Sequence, residues 1–146
     1  MPLEHRTVEH RLEFVANVHG IEYINDSKAT NVNSTWYALE RMQRETIWIV
    51  GGVDKTVDYS SLQELAKQKV RAIVYIGTNK SKIFENFLTK VDMIVDAGSM
   101  EEAVQMAYYI AQKGETVLLS PASASFNMFE NLEERGNTFK GAVRSL

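Results

Sequence analysis

The sequence predicts an α/β fold: a mainly parallel six-stranded sheet, led by an antiparallel N-terminal hairpin strand, with helices on both faces. Three observations carry this. Alternating residues flank a tight His19-Gly20 turn. Four later runs are short and almost continuously apolar. Helical patterns fill the gaps between those runs.

The hairpin comes first. Leu12 to Val18 alternates, and Ile21 to Ile24 resumes after His19-Gly20, as two strands joined by a two-residue loop would. The helical stretch from Asn33 to Arg44 follows, with Trp36, Leu39 and Met42 as its apolar stripe. Ile47 to Val50 is the third strand, and its unbroken apolar character suits a strand covered on both faces. Ser60 and Gln63 form a capping box ahead of Leu62 and Leu65. Ala72 to Ile76 is the fourth strand. Asn79 is placed to cap a helix holding Ile83, Phe84 and Phe87. After Met93 to Val95, Ser99 and Glu102 make a second capping box before Ala103, Ala107, Ile110 and Ala111. Thr116 to Leu119 is the last strand, and Phe129 to Val143 a terminal helix weakened by Gly136. Trp36, Trp48 and Phe87 are expected in the core. Strand and helix alternate, which implies right-handed crossovers and parallel pairing.

At 146 residues one domain is expected. Hydrophobic residues at 45% and charged residues at 24% are ordinary for a globular chain. A net charge of -3 and a pI of 5.6 argue against nucleic acid or an anionic membrane as the main partner. The absence of cysteine excludes disulfides and thiolate metal sites. Met1 to Glu13 is charged throughout and lacks the apolar stretch of a secretory leader. No apolar run approaches the ~18 residues of a membrane span. A soluble, cytoplasmic, monomeric protein is the expectation.

In such a sheet the loops after the strands share one edge, where ligands bind. Asn25-Asp26-Ser27-Lys28-Ala29-Thr30-Asn31 is the densest of these loops in polar groups. It leads into a helix, whose free N–H groups favour an anion. Its plain reading is a capped turn, but a cap needs one such residue rather than five. Gly51-Gly52-Val53-Asp54-Lys55 could bring backbone close to a ligand with a second lysine beside it, or be a turn with a solvated lysine. Gly77-Thr78-Asn79-Lys80 reads as a helix start with Lys80 in solvent. Ser120 to Ser125 could hold a carboxylate, or pack as a small-residue loop. Neither a Walker A loop nor Gly-x-Gly-x-x-Gly occurs. No serine lies in Gly-x-Ser-x-Gly, and His5, His10 and His19 read as surface residues without metal-ligand spacing.

The Asp26-Ser27-Lys28-Ala29-Thr30-Asn31 motif resembles the bacterial Mur ligases, in the form found where D-glutamate is added. Glu9-His10-Arg11-Leu12-Glu13, Gly51-Gly52-Val53-Asp54-Lys55, and Leu119 to Phe126 with Phe129 to Gly136 resemble further family segments in the same order. The resemblance spans nearly the whole chain but only the last of the family's three domains. It implies a Rossmann-like three-layer sandwich and a domain belonging to a longer enzyme, with no turnover alone. In that family ATP activates the carboxylate of a UDP-N-acetylmuramoyl peptide, and an amino acid's amine attacks it. Here the resemblance points to UDP-N-acetylmuramoyl-L-alanine and D-glutamate. Mg2+ would be held mainly by the central domain, which this sequence lacks.

By the same resemblance, Arg11, Asn25 and Asp26 match positions that contact ATP. Lys28, Thr30, Lys55 and Ser125 match positions that hold D-glutamate. Phe126 matches a backbone donor to its side-chain carboxylate, and Leu132 a position often phenylalanine. No residue here is expected to be catalytic or to bind metal. Two other readings stay open: a stand-alone small-ligand or nucleotide-binding module, and a domain of another amide ligase of the superfamily.

Overall fold

A computed structural model describes residues 8–52, 56–78, 80–124 and 129–146. Strands β1 (Glu13–Val18) and β2 (Ile21–Asn25) form the antiparallel hairpin. His19 and Gly20 both have positive φ, 53° and 85°, as a two-residue hairpin turn matched to strand twist requires. The remaining strands are β3 (Thr46–Val50), β4 (Val70–Ile76), β5 (Met93–Ala97) and β6 (Thr116–Leu119). The sheet order is β1-β2-β6-β3-β4-β5, and every pairing except β1 with β2 is parallel. The last strand is thus inserted between the second and third. The expected fold class holds.

Alternate residues of the central strands feed two cores. Ile47 and Ile49 of β3, with Val117 and Leu119 of β6, pack on α4 (Met100–Ile110) and α5 (Leu132–Arg144). Trp48, Val50 and Leu118 face α1 (Val32–Glu40), α2 (Gln63–Lys69) and α3 (Lys80–Phe87). Two helical layers therefore cover one sheet, which is why the β3 run is apolar at every position. Trp48 and Phe87 are both fully buried and meet edge to face, with ring centroids 5.3 Å apart. No helix among the described residues is long and apolar enough to cross a membrane.

Several local expectations are corrected. Trp36 is 38% exposed rather than core. The buried stripe of α1 runs through Thr35, Ala38 and Leu39, and Trp36 lies about 100° round the helix from Thr35. The helix ends at Glu40 rather than Arg44, because Lys69 Nζ reaches the carbonyls of Glu40 and Met42 at 3.3 and 2.6 Å. The Ser60–Gln63 box does not form. Ser60–Leu62 is a 3-10 turn whose first N–H donates to Asp58 Oδ1, while Gln63 Nε2 donates to Asn86. The cap expected at Asn79 lies outside the described residues. Lys80, expected in solvent, pairs with Asp96 at 2.7 Å although its side chain stays 56% exposed.

Before α4, Ser99 Oγ accepts from Glu102 N at 3.1 Å, but the Glu102 carboxylate returns to Gly98 N rather than to Ser99. The terminal helix starts at Leu132, not Phe129, because Asn131 caps it by accepting from Glu134 N at 2.8 Å. His10 is buried at 3% exposure, not on the surface.

Candidate functional site

The carboxyl ends of β2, β6, β3 and β4 are stitched into one edge by backbone hydrogen bonds. Asp26 N donates to Leu119 O at 2.7 Å, and Ser120 N to Ile49 O at 3.1 Å. Ala122 N donates to Ala29 O at 3.0 Å, Gly51 N to Pro121 O at 3.1 Å, and Thr78 N to Gly52 O at 3.2 Å. After β3 the chain turns to the α1–α3 face, and after β6 to α5 on the other face. Connections that part in this way open a crevice at the strand ends. It is lined by Gly51, Gly52, Pro121, Ala124, Met100 and Arg135, among others.

Asp26 stands at the tip of β2 and is only 4% exposed. Its Oδ1 accepts from Leu12 N at 3.1 Å and its Oδ2 from Ser120 Oγ at 2.8 Å. Ser120 Oγ in turn lies 2.9 Å from Thr35 Oγ1, and Trp48 Nε1 donates to the Ser120 carbonyl at 2.8 Å. Burial pushes the Asp26 carboxyl up to about 6, against the pull of the Ser120 and Leu12 hydrogen bonds and the Arg11 and Arg135 charges.

A stability prediction follows. The folded state holds the Asp26 proton to higher pH than the unfolded chain, so stability falls as pH rises from about 4 through 6. Two pKa units correspond to about 3 kcal/mol. Glu13 and Glu115 act the other way at lower pH. Hydrogen bonds from His10 N, Lys140 and Asn25 hold Glu13 below 4.5 despite burial, and Arg71 and Gln112 N do so for Glu115. Thermal melts should therefore show maximal stability near pH 5, and Asp26→Asn should flatten the fall above it. An unchanged profile in that variant would contradict this.

Asn25 is fully buried. Its Nδ2 donates to His10 Nδ1 at 2.9 Å and Glu13 Oε1 at 3.0 Å, and its Oδ1 accepts from Ser27 N at 3.1 Å. The network assigns the His10 proton to Nε2, since Nδ1 must accept. Lys140 Nζ closes the cluster with Glu9 and Glu13 at 2.8 and 3.1 Å. Gly136 belongs here: a Cβ on it would lie 2.1 Å from His10 Nδ1. The glycine expected to weaken α5 is what lets the helix approach the loop.

Lys28 is exposed and Thr30 half-buried, while His10 O accepts from Lys28 N at 2.8 Å and fixes the backbone beneath that lysine. Arg11 is exposed directly beside the Leu12–Asp26 contact. Leu132, half-buried, gives its carbonyl to Ser27 Oγ at 2.7 Å. Lys55, Ser125 and Phe126 lie outside the described residues. The structure thus brings Arg11, Asn25, Asp26, Lys28, Thr30 and Leu132 to one edge. Asn25 and Asp26 are engaged internally, whereas Arg11 and Lys28 face solvent.

Sequence reasoning did not single out Arg135, Ser27 or Lys140. A signal exists for two of them. Arg135 and Lys140 sit on the α5 stripe with Phe139 and Val143, where a charged residue must find buried partners.

The fold and this edge define an α/β domain with a polar, cation-bearing rim over a small apolar crevice. The chain belongs to the family described as Mur ligase, glutamate ligase domain, which matches residues 10–123. It is 57% identical over 139 residues to the UDP-N-acetylmuramoylalanine--D-glutamate ligase of Christiangramia forsetii, covering 95% of this chain and 31% of that protein. It is 52% identical over 141 residues to the ligase of the same name from Porphyromonas gingivalis, covering 97% and 31%. The chain therefore spans about a third of the length of these relatives. Among solved structures it resembles the UDP-N-acetylmuramate-alanine ligase of Thermotoga maritima, with a TM-score of 0.64 at 12% identity over 97% of this chain and 31% of that one. A bifunctional folylpolyglutamate synthase/dihydrofolate synthase from Yersinia pestis, complexed with AMPPNP and Mn ion, also gives 0.64, at 15% identity over 96% and 32%. At these identities the structural likeness concerns the fold.

Proposed function

We propose that this chain is the C-terminal domain of a cytoplasmic ATP-dependent ligase that adds D-glutamate to UDP-N-acetylmuramoyl-L-alanine in peptidoglycan synthesis. The observation that carries the reading is identity above 50% to D-glutamate ligases over nearly the whole chain. The position of the Asn25–Asn31 loop beside the strand-end crevice supports it.

D-Glutamate brings two carboxylates. Lys28, Thr30 and Lys55 are suited to bind them by charge and hydroxyl donation, with Ser125, the Phe126 backbone and the segment at Leu132 as further partners. The amine would stay free to attack. ATP, when bound, supplies the activation of the acceptor carboxylate. The donor set fits such a ligand at the rim. Arg11 is an exposed cation for phosphate, and each Asp26 oxygen retains a lone pair for a ribose hydroxyl beside Asn25. Mg2+, by the same reading, would be held mainly by the rest of the enzyme. The domain would act by closing over ATP and aligning the amine with the activated carboxyl, in a monomeric enzyme.

Steady-state kinetics of the whole ligase test this. Lys55→Ala should raise the KM for D-glutamate roughly ten- to a hundredfold, as loss of a charge-assisted contact does, with little change for ATP. Equal effects on both substrates would contradict the role given to Lys55.

A further inference from the structure

Two residues just before β1 hold a backbone conformation that side chains rarely adopt. His10 has φ 68° and Leu12 φ 44°, and Arg11 lies between them. Positive φ at a bulky residue such as Leu12 persists only where the surroundings impose it. Here they do. His10 is buried beside Asn25 and Gly136, whereas Leu12 packs into the core on the opposite face of the sheet. His10 N donates to Glu13 Oε1 and Leu12 N to Asp26 Oδ1, both at 3.1 Å. With its two neighbours anchored on opposite faces, Arg11 is left at the rim, exposed.

One side chain from a distant element closes this segment. Lys140, on α5 and 6% exposed, places Nζ 2.8 Å from Glu9 Oε2 and 3.1 Å from Glu13 Oε2. Glu9 and Glu13 bracket the strained residues, so a single ammonium staples residues 9–13 into a loop. A nearly buried ammonium loses hydration, and a partner as exposed as Glu9, at 63%, returns little of it. As a device for stability alone the arrangement makes poor sense. What it does secure is a fixed outlet for Arg11. We propose that Lys140 is a positioning residue that holds Arg11 where a nucleotide phosphate would meet it. This rests on the functional reading above, which gives Arg11 to ATP. It extends that reading to a residue of α5 that acts through Arg11 rather than on the ligand.

The test uses the whole ligase with Arg11→Ala, Lys140→Met, Glu9→Gln and the double variant Arg11→Ala/Lys140→Met. Lys140→Met keeps an apolar stem and removes the charge. Arg71→Met is a stability control, since Arg71 pairs with Glu115 at 2.7 and 2.8 Å near the amino-terminal ends of β4 and β6. Lys140→Met should raise the KM for ATP roughly tenfold. The KM for D-glutamate should rise less, because Lys28 meets this loop through one backbone bond, from its N to His10 O. Glu9→Gln should act in the same direction by a smaller factor, since Glu13 still holds the ammonium. In the double variant the KM for ATP should match that of Arg11→Ala, as expected of a residue acting through Arg11. Arg71→Met should lower Tm without moving either KM. If Lys140→Met fails to fold, Glu9→Gln carries the test, alone and combined with Arg11→Ala. A raised KM for ATP in Arg11→Ala beside an unmoved one in folded Lys140→Met or Glu9→Gln would overturn the inference alone. So would effects that add in the double variant, or equal rises for both substrates. An unchanged KM for ATP in Arg11→Ala would overturn the role that the functional reading gives Arg11, and this inference with it.

Discussion

Gly51→Ala is expected to destabilise the chain by about 3–5 kcal/mol and to lower Tm by roughly 10–20 °C. The residue follows β3 at φ 129°, a conformation that side chains rarely adopt. A Cβ there would lie 2.1 Å from Ile76 O and 2.8 Å from the Tyr75 ring. Both obstacles belong to β4, a fully paired interior strand that cannot retreat without disturbing β3 and β5. The damage would also reach the strand-end rim, because Gly51 N donates to Pro121 O and Gly51 O accepts from Ser123 Oγ at 2.5 Å. Differential scanning calorimetry measures the loss. A change of less than about 1 kcal/mol would mean that the tips of β3 and β4 are looser than this account allows.

Gly136→Ala is expected to cost about 2 kcal/mol or more, against the sign of helix propensity. At an open helical position the same change gains up to ~1 kcal/mol. Here the new methyl would fall 2.1 Å from His10 Nδ1 and 3.0 Å from Asn25 Nδ2. The His10 ring has little room to yield, since it is buried and bonded to Asn25. A double-mutant cycle isolates the cause. On a His10→Ala background, Gly136→Ala should become neutral or stabilising, because the ring it strikes is gone. Equal costs on both backgrounds would refute the steric explanation.

These glycines mark where sequence reading works and where it stops. The β3 run Ile47-Trp48-Ile49-Val50 was legible because both of its faces are covered, and four apolar residues in a row have few other uses. The hairpin was legible because His19-Gly20 sits between alternating strands. The insertion of β6 between β2 and β3 was not legible, because strand order depends on which helical layers pack together. Trp36 misled because a stripe of Trp36, Leu39 and Met42 and one of Thr35, Ala38 and Leu39 differ by a fraction of a turn. At the site, the polar residues of the Asn25–Asn31 loop stood out at once, but not their division of labour. Asn25 and Ser27 turn inward and Lys28 outward, and the choice is made by His10, Glu13 and Arg135, which are distant in sequence. His10 itself was misplaced because its φ of 68° folds the segment back over the loop.

We propose a D-glutamate site in this domain, at the strand-end rim that carries Lys28 and Thr30. Titrating D-glutamate into the isotope-labelled chain, with L-glutamate as control, and following backbone amide shifts tests it most directly. Shifts are expected at Thr30, Lys55 and Ser125, larger with the D-enantiomer. Equal shifts with both enantiomers would reveal nonspecific anion binding and contradict it.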